Sequence, residues 1–239
     1  MKRFFLAAAT LVLSVSMAYA QEQQPASNPK VLPMFGQVAK TDAQQKADEK
    51  FLTSCDKSFE SRTEASNFFM ERGWEYLNEG QVDTAVYRFN LAWLLNPDNY
   101  NTYWAFGLVE NSKGNTQEAI GMFDRALKYQ PNNSLLLSDV GAAYLQQYIK
   151  DKKKKSLKQA TAFLDRSLKA DQNNAFALAN YAQVYYYNKK YTEAWDYLHR
   201  SRDINIMSLD YNFLADLLAQ MPDPKGMFRN DPNAVESAN

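Results

Sequence analysis

The chain has 239 residues, in which 27 lysines and arginines are balanced by 27 aspartates and glutamates, with one histidine and one cysteine. That balance argues against a general nucleic-acid binder, which carries a basic surplus, and a single cysteine excludes an internal disulfide framework. Stability must come from burying apolar surface, which 15 tyrosines, 14 phenylalanines and many leucines and alanines can supply.

Residues 1–20, MKRFFLAAATLVLSVSMAYA, start with Lys2 and Arg3, continue as an apolar run from Phe4 to Val15 and end on Ala18-Tyr19-Ala20. This three-part order predicts a secretory signal peptide. The run is shorter than the roughly 20 residues a bilayer span needs, which argues against a retained anchor. Removal leaves 25 basic against 27 acidic residues. The expectation is an exported protein, of bacterial type and periplasmic first, secreted second. Cys55 lies too far from the run to be a lipidated N-terminal residue. Residues 21–40 are polar and proline-bearing around one apolar island, VLPMFG, and predict an extended or disordered segment. Residues 41–60 carry alanine, lysine and glutamate with Phe51 and Leu52, and predict an N-terminal capping helix.

From Ser66 onward a spacing repeats. Ala85, Phe89, Ala92 and Pro97 recur 34 residues later as Ala119, Phe123, Ala126 and Pro131, and the alanine recurs again as Ala160 and Ala194. Upstream of each, Phe69, Gly73 and Tyr76 correspond to Tyr103, Gly107 and Glu110, to Leu137, Gly141 and Tyr144, and to Leu178, Ala182 and Tyr185. Within each set the apolar and small residues fall three or four apart, one face of a helix. Each unit therefore predicts two helices. Gly80 and Gly114 would reverse the chain between them, and Pro97 and Pro131 would stop the second. Asn115 with Glu118, and Ser156 with Gln159, have capping-box spacing. Gly73 and Ala85 are expected to face each other, letting the helices approach to about 8–10 Å.

This pattern resembles the tetratricopeptide repeat (TPR), a helix–turn–helix unit of about 34 residues. The resemblance runs from Ser66 to Asn205, as units 66–99, 100–133, 134–174 and 175–207. Ser167 and Ser201 stand where alanine is usual, and Gln172 and Ile206 replace the proline. The implied fold is all-α: a right-handed helical-hairpin solenoid of about four TPR units, closed by capping helices. Leu209, Phe213 and Leu217, with Leu214 and Leu218 beside them, predict a C-terminal capping helix over 208–220. Residues 221–239 predict a disordered tail.

The resemblance also implies a concave groove lined by the first helix of each unit. On this chain the inner stripe is Asn67, Met70, Trp74 and Leu77, then Asn101, Trp104, Leu108 and Asn111. It continues through Leu135, Ser138, Ala142 and Leu145 to Phe176, Ala179, Gln183 and Tyr186. Family members that clamp the carboxylate end of chaperone tails use lysines, arginine and asparagines here; Met70, Trp74 and Leu135 occupy such places, so that clamp is absent. The remaining stripe predicts a groove for a protein or peptide, with Asn67, Asn101 and Asn111 offering hydrogen bonds. Alternatively Trp74 and Trp104 are covered by VLPMFG or by the 41–59 helix.

No catalytic, cofactor or metal constellation stands out. His199 and Cys55 lie in segments separated by all four units and read as a solvated or partly packed imidazole and a half-buried thiol. Neither a glycine-rich phosphate loop nor a Ser/His/Asp spacing is present. The lysines Lys152–Lys155 coincide with seven extra residues in the third unit. They predict a longer turn, either inert or in peripheral contact with an anionic partner. The function expected is a non-enzymatic scaffold of the bacterial cell envelope that binds a protein or peptide. Two rivals are a structural subunit using the convex face or terminal helix, and an enzyme with dispersed carboxylates.

Overall fold

A computed structural model describes residues 28–228. The expected signal peptide, residues 21–27 and the end of the tail, 229–239, lie outside the described residues. Helix α1 (Asp42–Ser58) precedes four helix pairs. These are α2 (Arg62–Asn78) with α3 (Val82–Leu95), α4 (Tyr100–Ser112) with α5 (Thr116–Tyr129), α6 (Ser134–Asp151) with α7 (Lys154–Ala170), and α8 (Ala175–Tyr187) with α9 (Tyr191–Ile204). Helix α10 (Tyr211–Gln220) follows, and no strand occurs among the described residues. Each pair packs within itself and against the next, so the chain is an all-α solenoid of helical hairpins. None of these helices is long and apolar enough to cross a membrane.

First and second helices start differently. Ser61, Asn99, Asn133, Asn174 and Asp210 precede α2, α4, α6, α8 and α10, and each side chain accepts a backbone N–H of the first turn. The second helices begin without side-chain caps, straight from tight turns. Gly80 and Gly114 make two of those turns at φ 76° and 81°. Lys152 and Lys189 take the same left-handed place at φ 54° and 60°, where a Cβ makes the conformation less favourable.

Neither expected capping box forms. Asn115 donates to Glu110 Oε2 at 2.7 Å instead of capping α5, and Ser156 lies inside α7, donating to Asp151 Oδ2 at 2.9 Å. The seven extra residues do not simply lengthen a turn either. They extend α6 and advance the start of α7, so Lys154 and Lys155 are helical and only Lys152 and Lys153 lie between the helices.

The helices of a pair meet at small residues. Gly73 lies against the Phe89 ring and Gly107 against Phe123, so closely that a Cβ at either glycine would overlap the aromatic carbons. At Gly141 the added atom would be 2.7 Å from Leu164. The atoms nearest to Gly73 are those of the Phe89 ring, while Ala85, which the spacing set opposite the glycine, is fully buried in the same core. Between pairs, Asn99 and Asn174 cap their own helices with Oδ1 and brace the preceding unit with Nδ2. Asn99 donates to Ser66 Oγ and Asn67 Oδ1, and Asn174 to Ser134 Oγ and Ser167 Oγ. The two serines that replace alanine are satisfied, Ser167 Oγ donating to Ser134 O at 2.7 Å and Ser201 Oγ to Ala175 O at 2.8 Å.

The flanking segments are more ordered than the sequence suggested. Residues 28–37 form two short 3₁₀ turns on α3 rather than an extended run. Asn90, buried in α3, accepts from Phe35 N and donates to Lys30 O and Leu32 O. Met34, Phe35, Gly36 and Gln37 all have positive φ, a strained arrangement that Asn90 and the burial of Met34 and Phe35 offset. At the other end residues 221–228 fold back onto α9. Phe228 stacks on Trp195 and His199, and Trp195 Nε1 donates to Met221 O at 3.2 Å. His199 is fully buried, not solvated, with Nε2 2.8 Å from Asp223 Oδ1. Cys55 is buried as well.

If the glycine–ring contacts set the hairpin spacing, Gly73→Ala should lower the unfolding free energy by about 1–3 kcal/mol through overpacking. Gly121→Ala, on an open face of α5 where nothing lies within 4 Å, should raise it by about 0.5–1 kcal/mol. Urea denaturation of the two variants checks both, and a neutral Gly73→Ala would contradict the packing.

Candidate functional site

The stripe on the first helices is only partly open. Met70, Ser138, Leu145 and Ala179 are buried, so two of the four stripe residues on α6 and one each on α2 and α8 belong to the core. Trp74, Leu77, Asn101, Trp104, Leu108, Asn111, Gln183 and Tyr186 are half-buried, and Asn67 is exposed. Trp74 packs edge-on against Phe89 with centroids 5.2 Å apart. The two tryptophans therefore do not make a bare apolar patch, and their cover is not VLPMFG, which lies on α3 with Met34 Sδ reaching Arg125 of α5.

What the stripe leaves exposed is a different pair. Leu135 and Phe176 are 50% and 45% exposed. They hold the same place, second residue of α6 and of α8. Both were in the stripe read from the sequence, but nothing there separated them from its buried members. Periodicity gives the face of a helix, not the depth of each position on it.

The polar groups along the stripe are partly committed. Asn67 Oδ1 accepts from Asn99, and Ser138 Oγ lies 3.5 Å from Asn180 Nδ2. Asn111 Oδ1 is buried with no hydrogen-bond partner among the described residues. Tyr186 packs edge-on against Phe213 of α10, centroids 5.5 Å apart. Trp104 Nε1 donates to Asp139 Oδ2 at 2.7 Å, tying α4 to α6. Burial drives the Asp139 carboxyl up to about 6, against the opposing pull of that indole donor. Asp139 was not singled out in the sequence, where a lone carboxylate on a helix reads as a solvated face.

The other segments offer no converging chemistry. Among the described residues no three His, Cys, Asp or Glu side chains gather as a metal site. The lysines of 152–155 are exposed. Lys153 and Lys155 line a polar cavity of about 330 Å³ with Gln117, Tyr144, Gln147 and Gln159.

Asp139 gives a pH signature of the α4–α6 joint. Its folded pKa lies above the ordinary carboxylate value of 3.8, so the folded chain keeps a proton that the unfolded chain releases. Stability from this group is therefore full below about pH 4 and is lost as pH rises towards 6, by at most about 3 kcal/mol. Asp139→Asn, which still accepts from Trp104, should flatten that slope and be more stable than the parent at pH 7; denaturant midpoints across pH 4–7 read it. A variant less stable than the parent at pH 7 would contradict the assignment.

No family model and no curated protein matches the sequence. Solved structures do match its fold. A thermophilic TPR protein of Thermus thermophilus superposes with a TM-score of 0.57 at 16% identity, covering 72% of this chain and 96% of that one. A chain of the APC/C hetero-tetramer Cut9–Hcn1 gives 0.52 at 22% identity, covering 64% of this chain; this chain spans only 29% of that chain's length. MamA from Desulfovibrio magneticus RS-1 gives 0.50 at 18% identity, covering 67% and 87%. Paired helices at constant spacing, seated on glycine and alanine and matched by these structures, give the chain the fold of a tetratricopeptide-repeat solenoid.

Proposed function

We propose that the protein is a non-enzymatic scaffold that binds a polypeptide partner in the bacterial cell envelope through its first-helix stripe. The observation that carries this reading is the exposed pair Leu135 and Phe176, at matching positions of adjacent units. Large apolar side chains left in water on rigid helix starts are the kind of anchor that partner burial rewards. Gln183 and Asn101, half-buried in the same stripe, add hydrogen-bonding groups to it, which suits an extended or helical segment of a partner. Export rests on residues 1–20, whose basic start, apolar run and Ala-Tyr-Ala ending fit a secretory signal.

A second reading has its own support. Ile204, Ile206, Met207 and Tyr211, around the junction of α9 and α10, are 47%, 56%, 79% and 66% exposed. That run suits a structural subunit joined to an assembly through its terminal helix. The groove-filling version of this alternative does not hold for residues 28–37, which lie on α3.

Leu135→Ser with Phe176→Ser, both on the surface, should leave the melting curve within about 0.5 kcal/mol of the parent. The pair should reduce capture of envelope partners by about tenfold or more. Met207→Ser with Tyr211→Ser serves as the matched control. Loss only in the control pair would move the interface to the terminal helix, and undiminished capture by both would reject an apolar anchor at either place. For export, N-terminal sequencing of protein recovered from the periplasmic fraction should start at Gln21; an intact Met1 on protein found only in the cytoplasm would contradict it.

A further inference from the structure

The first unit presents a side-chain cluster at an end of the stack. In the second unit Tyr103, Phe106 and Glu110 are buried, and α3 of the preceding pair packs against α4. The corresponding residues 34 positions earlier are Phe69, Arg72 and Tyr76, and no complete helix pair precedes them among the described residues. Helix α1 stands there, packing Phe51, Leu52, Cys55 and Phe59 around Ala65, Phe69 and Leu95. Beyond that contact Phe68, Phe69, Arg72, Tyr76 and Arg88 surround a cavity of about 210 Å³.

Arg88 is the unusual member. Its guanidinium lies 5.6 Å from the ring centre of Tyr76 and 5.9 Å from that of Tyr87. Its Nε is buried without a hydrogen-bond partner among the described residues, and none of their carboxylates lies within ion-pair distance of it. The tyrosine faces attract the cation through their quadrupoles but leave its N–H groups unused. The buried Nε is closed to a ligand as it is to water, so an incoming acceptor meets the terminal Nη groups, which have no ion-pair partner among the described residues. Arg72, over Phe68 at 5.4 Å, adds a second guanidinium that it shares with Glu75 at 2.6 Å.

We infer that this cavity binds a carboxylate carried on a small apolar or aromatic body, with Arg88 pairing with the carboxylate and Phe68, Phe69 and Tyr76 holding the body. A planar guanidinium fork matches two carboxylate oxygens, and the aromatic walls favour an attached ring over a bare ion. The site is separate from the first-helix stripe. Its ligand is either a free organic acid or the C-terminus of a chain that ends in an apolar residue.

Calorimetric titration of the full chain with 3-phenylpropionate, with N-acetyl-Gly-Phe acid and with N-acetyl-Gly-Phe amide tests the inference. Both acids should bind one to one, and the amide should bind about tenfold more weakly or not at all. A peptide acid about tenfold tighter than phenylpropionate identifies a chain terminus as the source; comparable affinities identify a free acid. Arg88→Gln should weaken both acids by about tenfold, while Arg125→Gln, at a guanidinium over Tyr103, should change neither. On the unmodified chain, saturation should shift the NMR signals of Phe68 and Tyr76, a readout independent of how Arg88→Gln folds. Equal binding of acid and amide, shifts confined to other residues, or no binding of either acid would overturn the site.

Discussion

The structure depends on how closely the two helices of each unit can approach. Gly73, Gly107 and Gly141 leave room on the first helix for Phe89, Phe123 and Leu164 of the second, and Ala182 shares a buried cluster with Leu198 in the fourth unit. A ring seated on a glycine fixes both the distance and the register of the pair. The faces left over then bury only against the next pair, so the geometry must recur along the chain. The spacing is kept between units for this reason while exposed positions drift.

The same constraint divides the surface into regions with different capacities. Along the first helices many side chains are committed to holding units together, as with Trp104 on Asp139 and Asn67 beneath Asn99. The stack leaves few large apolar side chains of this stripe in water, chiefly Leu135 and Phe176, and the proposed binding rests on them. The end of the solenoid near α1 differs again. There an interface position of the repeat carries Arg72 in place of a phenylalanine, and Arg88 has tyrosine faces but no acceptor. The second helix α3 is used in another way, as a support on which Asn90 holds residues 28–37.

The repeat itself was legible because its signals are local: small and aromatic residues three or four apart, glycine at the turns, proline after the second helix. Gly80 and Gly114 indeed adopt positive φ. What failed was mostly non-local. The spacing put Gly73 on the right face but could not say that Phe89, rather than Ala85, fills the gap. VLPMFG read as part of an extended segment or as a cover for Trp74 and Trp104, because Asn90, which holds it on α3, lies more than fifty residues away. His199 looked isolated because Asp223 and Phe228, which enclose it, come after the last predicted helix. The capping-box spacing at Ser156 misled because α7 begins two residues earlier, which places Ser156 inside the helix. On the first-helix stripe, sequence named the members and structure alone ranked their exposure.

A double-mutant cycle between Gly107 and Phe123 tests the central packing most directly. Gly107→Ala, Phe123→Leu and the double variant would be compared by urea denaturation at one pH and temperature. If the ring occupies the space above the glycine, shrinking it makes room for the new methyl, and the pair should show a favourable coupling of about 1 kcal/mol or more. Strictly additive losses would mean that the two residues do not meet, and the spacing of the helix pairs would need another cause.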